Sequence, residues 1–186
     1  MKEFEKELNC YKHLNKITRR GCVVVFGSTF AKSIPVSELT QTFGLDCVVY
    51  NRSFNDLSVF DAADLAEEAV MEIEPKKVVI LLGETDLERG YKTVDEIAAG
   101  YEKLISVLKG YDKKLKIVTV SVCSDEKDTA KFNSALEKLS NKAKCQYADI
   151  TGTQDNEVPY VGAFGKLRFF MQDRLSFYDA MNLASV

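Results

Sequence analysis

The sequence predicts a three-layer α/β sandwich, with a five-stranded parallel sheet between helices. Three observations predict it. The apolar runs of VVVFGST at 23–29, VVYNRSFND at 48–56 and VVILLGETD at 78–86 each end in a small or polar loop. The runs are continuous rather than alternating, as burial on both faces by helices requires. Segments of helical periodicity separate them, and strands alternating with helices make a parallel sheet. The loops after the strands then sit side by side at one sheet edge, where open α/β folds bind ligands.

The elements follow in order. Residues 3–18 place Phe4, Leu8, Tyr11 and Leu14 at helical spacing. They predict a docking helix within a leading segment 1–20, packed away from the loop edge. A strand at 22–26 leads through the GST loop to a short helix near 36–43 that stops at Gly44. A second strand, 46–50, precedes a helix at 58–73, opened by the capping pair Ser58 and Asp61 and stopped before Pro75. A third strand, 77–82, enters the GETD loop. Thr93 and Glu96 cap a helix at 94–109, whose buried stripe is Ile97, Tyr101, Leu104 and Leu108 and whose stop is Gly110. A fourth strand at 115–120, a helix at 126–143 with Phe132, Leu136 and Leu139 inward, and a fifth strand at 145–150 complete the sheet. Residues 151–172 break the rhythm; with Pro159, Tyr160, Phe164, Phe169 and Phe170 among three glycines, they read as an irregular aromatic loop. Such a loop is either a pocket wall or irregular packing over the sheet edge.

Composition bounds the function. The 186 residues form one domain, 1–186, large enough to fold without staples. A net charge of −3 gives no basic face, so nucleic acid and anionic membrane are poor partners. No apolar run reaches membrane-spanning length, and the charged N-terminus is no signal peptide. The cysteines, Cys10, Cys22, Cys47, Cys123 and Cys145, are odd in number and lack metal spacing, and His13 is the only histidine. They read as buried free thiols of a cytoplasmic protein, with no metal site expected. Neither G-x-G-x-x-G nor a P-loop is present, so no cofactor is expected.

Read by themselves, Ser28 and Thr29 cap the turn after Gly27. Glu84, Asp56, Asp86, Asp125 and Asp173 are loop carboxylates, read as partners of Arg52, Arg89 and Arg174 rather than as a magnesium or calcium site. Cys123 in SVCSD reads as packing rather than as a nucleophile.

In order, however, the blocks Gly27-Ser28-Thr29, Asn51-Arg52-Ser53, Gly83-Glu84-Thr85-Asp86 and Asp173-Arg174-Leu175-Ser176 resemble those of the SGNH hydrolases, the GDSL-type esterases and lipases. The resemblance covers 21–150 well and 173–183 weakly. It implies a sheet of flavodoxin-like order 2-1-3-4-5, and hydrolysis of small esters, lipids or acylated sugars through a hydroxyl nucleophile. The family's first block is G-D-S. Ungapped, Thr29 takes the nucleophile place; shifted by one residue, Ser28 does. The second block, N-R-G, implies an oxyanion donor at the Ser53 N–H, following Asn51. The third, G-x-N-D, implies a second donor at Thr85, following Gly83, and a structural Asp86 held by its own loop. The fourth, D-x-x-H, leaves Asp173 as the acid but puts Ser176 where the histidine base belongs. Serine is no base for a neutral hydroxyl, so the resemblance implies a weak or inactive hydrolase. His13, in the leading helix, is a poor substitute. The alternative is a non-catalytic module that binds small ligands or a partner on the esterase fold. Oligomeric state is left open.

Overall fold

The protein is described, in a computed structural model, over residues 4–153 and 157–173. Its strands are β1 Val23–Gly27, β2 Val49–Asn51, β3 Lys77–Leu81, β4 Lys116–Val120 and β5 Gln146–Ala148. They form one parallel sheet, as the sequence predicts, in the order β2-β1-β3-β4-β5 that the resemblance implies. Gly27 stands beside Leu81 in register, so β1 and β3 finish together at the loop edge.

The period-2 geometry of the strands feeds two cores. Val24, Phe26, Val78 and Ile80 face one layer; Val23, Val25, Val79 and Leu81 face the other. The first layer is built on α1 Glu5–Asn15, α4 Val59–Ala69, α6 Val94–Tyr111 and α7 Thr129–Lys142. The second is built on α2 Thr29–Ser33, α3 Val36–Thr42 and α8 Pro159–Met171. A short α5, Glu84–Arg89, lies at the loop edge.

The expected stripe of α6 is buried throughout, and Thr93 with Glu96 forms a complete capping box. Phe132 and Leu136 are likewise buried in α7.

Several expectations need correction. Residues 159–171, read as irregular, are the helix α8, with Ala163, Phe164, Leu167 and Met171 inward. Its glycines obscured the pattern, and Gly162 is there for contact: a Cβ would lie 2.0 Å from the Thr153 carbonyl oxygen. Gly110 lies inside α6 and does not end it. The GETD segment starts α5 rather than a plain loop. Leu14 is exposed, whereas Phe4 and Tyr11 of the leading segment are buried. They meet Phe54, which also meets Phe26, edge to face at centroid distances of 5.2–6.4 Å. Of the cysteines, Cys22 is buried and Cys47, Cys123 and Cys145 are half-buried, but Cys10 is exposed. No helix among the described residues is long and apolar enough to cross a membrane.

Candidate functional site

The site begins with two glycines at the ends of β1 and β3. A Cβ on Gly27 would fall 2.2 Å from the Leu81 carbonyl oxygen, so only glycine lets the strands close here. Gly83 has φ of +104°, and a Cβ there would meet the Phe132 ring at 2.7 Å. These constraints bring the first and third loops together. The Ser28 N–H bonds the Leu81 carbonyl, and the Ser28 and Thr85 hydroxyls share a hydrogen bond of 2.6 Å. Both residues are buried.

Thr29 faces solvent instead, at the first position of α2. Its hydroxyl accepts the Asp56 N–H at 2.9 Å and lies 3.4 Å from an Asp56 carboxylate oxygen. Asp56 itself is left-handed, with φ of 52°. Of the two nucleophile candidates, the structure therefore buries Ser28 and exposes Thr29.

The second block is arranged for support. The Asn51 amide donates to the carbonyls of Ala31 and Ile34, closing the end of α2. Its oxygen accepts the Ser53 N–H at 3.1 Å. The donor expected at Ser53 is thus engaged within the protein, and Ser53 is fully buried.

Carboxylates complete the edge. Glu84 is half-buried beside the start of α2, where it accepts the Phe30 N–H; burial, then Glu88, push its carboxyl above the ordinary range. Asp86 is structural as expected, but its partners are Ser58 Oγ and the Val59 N–H at the start of α4, not its own loop. Burial raises Asp86 as well, against those two hydrogen bonds. Arg89 reaches the Asp56 carbonyl rather than a carboxylate. Cys123 is pushed up to about 11, mainly by burial, so its thiol stays protonated at neutral pH. Among the described residues no cluster could hold a metal ion.

The space enclosed beside Glu84 is small. A hollow of about 20 Å³ lies between Phe30, Leu82, Glu84 and Cys123, with room for about one water. A cleft of about 270 Å³ opens beside it over β4 and β5, lined by Cys123, Asp125, Thr129 and Thr151. The Thr129 hydroxyl there is buried without a hydrogen-bond partner among the described residues.

Two other expectations are corrected by position. Asp173 lies at the opposite end of the sheet, where Lys76 and Lys116 bind its carboxylate beside Lys77 at the start of β3. Its pairing with Lys76 holds its carboxyl below the ordinary range, and it takes no part in the loop edge. The reason is α8, which carries the chain back across the sheet before residue 173. Ser176 and Arg174 lie outside the described residues. The D-x-x spacing recurs as Asp155-Asn156-Glu157-Val158 between β5 and α8, again without histidine; Asp155 is outside the described residues.

The leading helix also sits differently. It approaches the loop edge: the Tyr11 hydroxyl donates to the Ser53 carbonyl at 2.6 Å, and Glu7 pairs with Lys32. His13 nonetheless stays away, exposed against the Asn9 carbonyl and lining a groove with Glu68 and Glu72. Lys32 and the aromatic wall of Tyr11 carried no signal at the sequence level, because only the docking of α1 brings them to Arg52.

No protein-family model matches the chain, and no curated protein matches it. Solved structures do. A candidate platelet activating factor from Streptococcus pneumoniae superposes with a TM-score of 0.77 at 16% identity, covering 91% of this chain and 93% of that one. A candidate acylhydrolase from Bacteroides fragilis gives 0.72 at 13% identity, over 88% of this chain and 95% of the other. A GDSL-like lipase from Bacteroides thetaiotaomicron gives 0.68 at 14% identity, over 87% and 93%. Together, the strand order, the paired glycines and these likenesses establish that the chain has the fold of the GDSL-like lipases and acylhydrolases.

Proposed function

We propose that this protein binds a small acyl ester or acylated sugar at the loop edge and hydrolyses it weakly or not at all. One observation carries the reading. The Ser28 and Thr85 hydroxyls bond each other, Thr29 has the Asp56 carboxylate for a neighbour, and no imidazole lies against any of the three among the described residues. A hydroxyl without a base near neutral pKa forfeits about 10²–10⁴ in rate. An oxyanion donor lost with it forfeits about 10²–10³ more. The cleft beside Cys123, with the Thr129 hydroxyl unpartnered among the described residues, supplies room that the hollow beside Glu84 does not.

The Thr29–Asp56 contact favours a second reading, residual hydrolysis with Thr29 as nucleophile and the Asp56 carboxylate accepting its proton. Both are tested with p-nitrophenyl acetate and butyrate on wild type, Thr29→Ala and Ser28→Ala. The expected kcat/KM is about 1 M⁻¹s⁻¹ or less, against about 10⁴–10⁸ for working enzymes. A value above about 10³ M⁻¹s⁻¹ refutes the main reading. Low turnover abolished only by Thr29→Ala establishes the second. Binding is measured separately by ligand-observed NMR with glucose pentaacetate and ethyl butyrate; absence of saturable binding to the wild type removes the proposed ligand class.

A further inference from the structure

A second cleft, of about 420 Å³, lies at the β2 margin of the sheet between α1 and α3. Its walls include Tyr11, Lys32, Asn51 and Arg52, with apolar surface from Ile34 and Val36. Arg52 is only 4% exposed. Its guanidinium lies between the rings of Tyr11 and Tyr50, 5.0 and 5.3 Å from their centroids. Among the described residues it has no carboxylate partner. Its polar contacts are neutral and long: Thr18 Oγ1 at 3.2 Å, Asn15 Oδ1 at 3.4 Å and the Asn51 carbonyl at 3.4 Å. The Nε–H has no acceptor at all among those residues.

A buried guanidinium in this state is costly, because desolvation is repaid only by a matched anion with good geometry. Neighbouring groups do not supply one. Tyr11 is pushed up to about 12, chiefly by burial, and its hydroxyl donates to the Ser53 carbonyl, so it stays neutral. Burial also raises Cys22. Lys32 adds a second cation to the cleft, bonded to Glu7 and to the Tyr11 hydroxyl. Glu38 is exposed on the rim. A clamp joining α1 to the sheet would explain a side chain between two tyrosines, but a neutral one of equal length would do this without the desolvation cost.

We propose that this cleft is a binding site for an oxyanion, the carboxylate or phosphate group of a small molecule, with Arg52 and Lys32 as its cations and the Ile34–Val36 wall seating the apolar body. A planar fork reads either anion with paired hydrogen bonds. The cleft shares no lining residue with the hollow beside Glu84 or the cleft beside Cys123, and binding in it does not depend on hydrolysis at the loop edge.

The test is calorimetric titration of the whole chain with hexanoate, hexyl phosphate and hexanol at constant ionic strength. Wild type is expected to bind one or both anions saturably and hexanol at least tenfold more weakly. Arg52→Met, with its fold verified by circular dichroism, is expected to lose about tenfold or more, the worth of a hydrogen bond to a charged group. Lys32→Met, at a half-buried position, is expected to lose several-fold and serves as the decisive variant if Arg52→Met does not fold. Stronger binding of hexyl phosphate identifies a phosphate-bearing ligand, and of hexanoate a carboxylate. Equal binding of hexanol, no saturable anion binding, or unchanged affinity in the folded variants overturns the proposal.

Discussion

Tyr101 ties the core to the loop that carries Glu84 and Thr85, and the strength of that tie can be worked out. Its hydroxyl accepts the Leu82 N–H and donates to the Leu82 carbonyl, both at 3.0 Å. Tyr101 is fully buried and Leu82 is 1% exposed, so water does not serve these groups. Tyr101→Phe removes one oxygen and keeps the ring against Phe132, 6.0 Å away between centroids. Two buried backbone groups then lose their partner, at about 1–3 kcal/mol each. Partial relaxation of the loop puts the expected loss at about 2–4 kcal/mol. At about 2–4 °C per kcal/mol for a chain of this length, Tm falls by about 4–16 °C. The assay is urea unfolding with the slope m checked against wild type. Tyr111→Phe is the control, because it removes the same atom from an exposed hydrogen bond to Glu67, and its midpoint should match wild type. A loss below about 1 kcal/mol for Tyr101→Phe, with m unchanged, would show that Leu82 finds other partners and that this tie does not hold the loop.

Three further outcomes follow from the same structure. Glu84 is raised by burial, so the stability it contributes is full below its unfolded value of 4.5 and falls as pH rises through the folded value; Glu84→Gln should therefore gain stability over wild type as pH increases, and a midpoint difference constant from pH 4 to 8 would contradict this. Phe54→Ala empties the hub shared by Phe4, Tyr11 and Phe26 and should cost about 3–5 kcal/mol in urea unfolding, with less than about 1 kcal/mol indicating that α1 is not docked there. Toward an aromatic disulfide reagent, Cys10 should react at once and Cys123 slowly, since Cys123 is half-buried and pushed up to about 11; equal rates in the native chain would refute the buried, protonated thiol.

What was legible in the sequence was whatever local pattern dictates. The runs VVVF and VVIL are apolar at every position, which is tolerable only in strands covered on both faces, and that requirement yields the sheet and its helical layers. Thr93 and Glu96 were legible as a capping box because the partners lie three residues apart. Gly27 and Gly83 were legible as loop positions, although their reason, a carbonyl at 2.2 Å and a phenyl ring at 2.7 Å, lies across the fold. The helix α8 was not legible: Gly162 and Gly165 dilute its pattern, and Gly162 is explained only by the approach of Thr153.

By itself, then, the sequence determined the parallel sheet and the absence of an imidazole from the expected last block, because these depend on periodicity and residue identity; the strand order came from the resemblance of its blocks to the SGNH hydrolases. Tertiary structure alone decided that Asp173 joins lysines at the far edge and that the Ser53 N–H is spent on Asn51. It also decided that Arg52 is enclosed by tyrosines with no carboxylate beside it among the described residues. Each of these outcomes is set by which distant segments dock against one another, and docking depends on summed packing over many residues rather than on any local spacing.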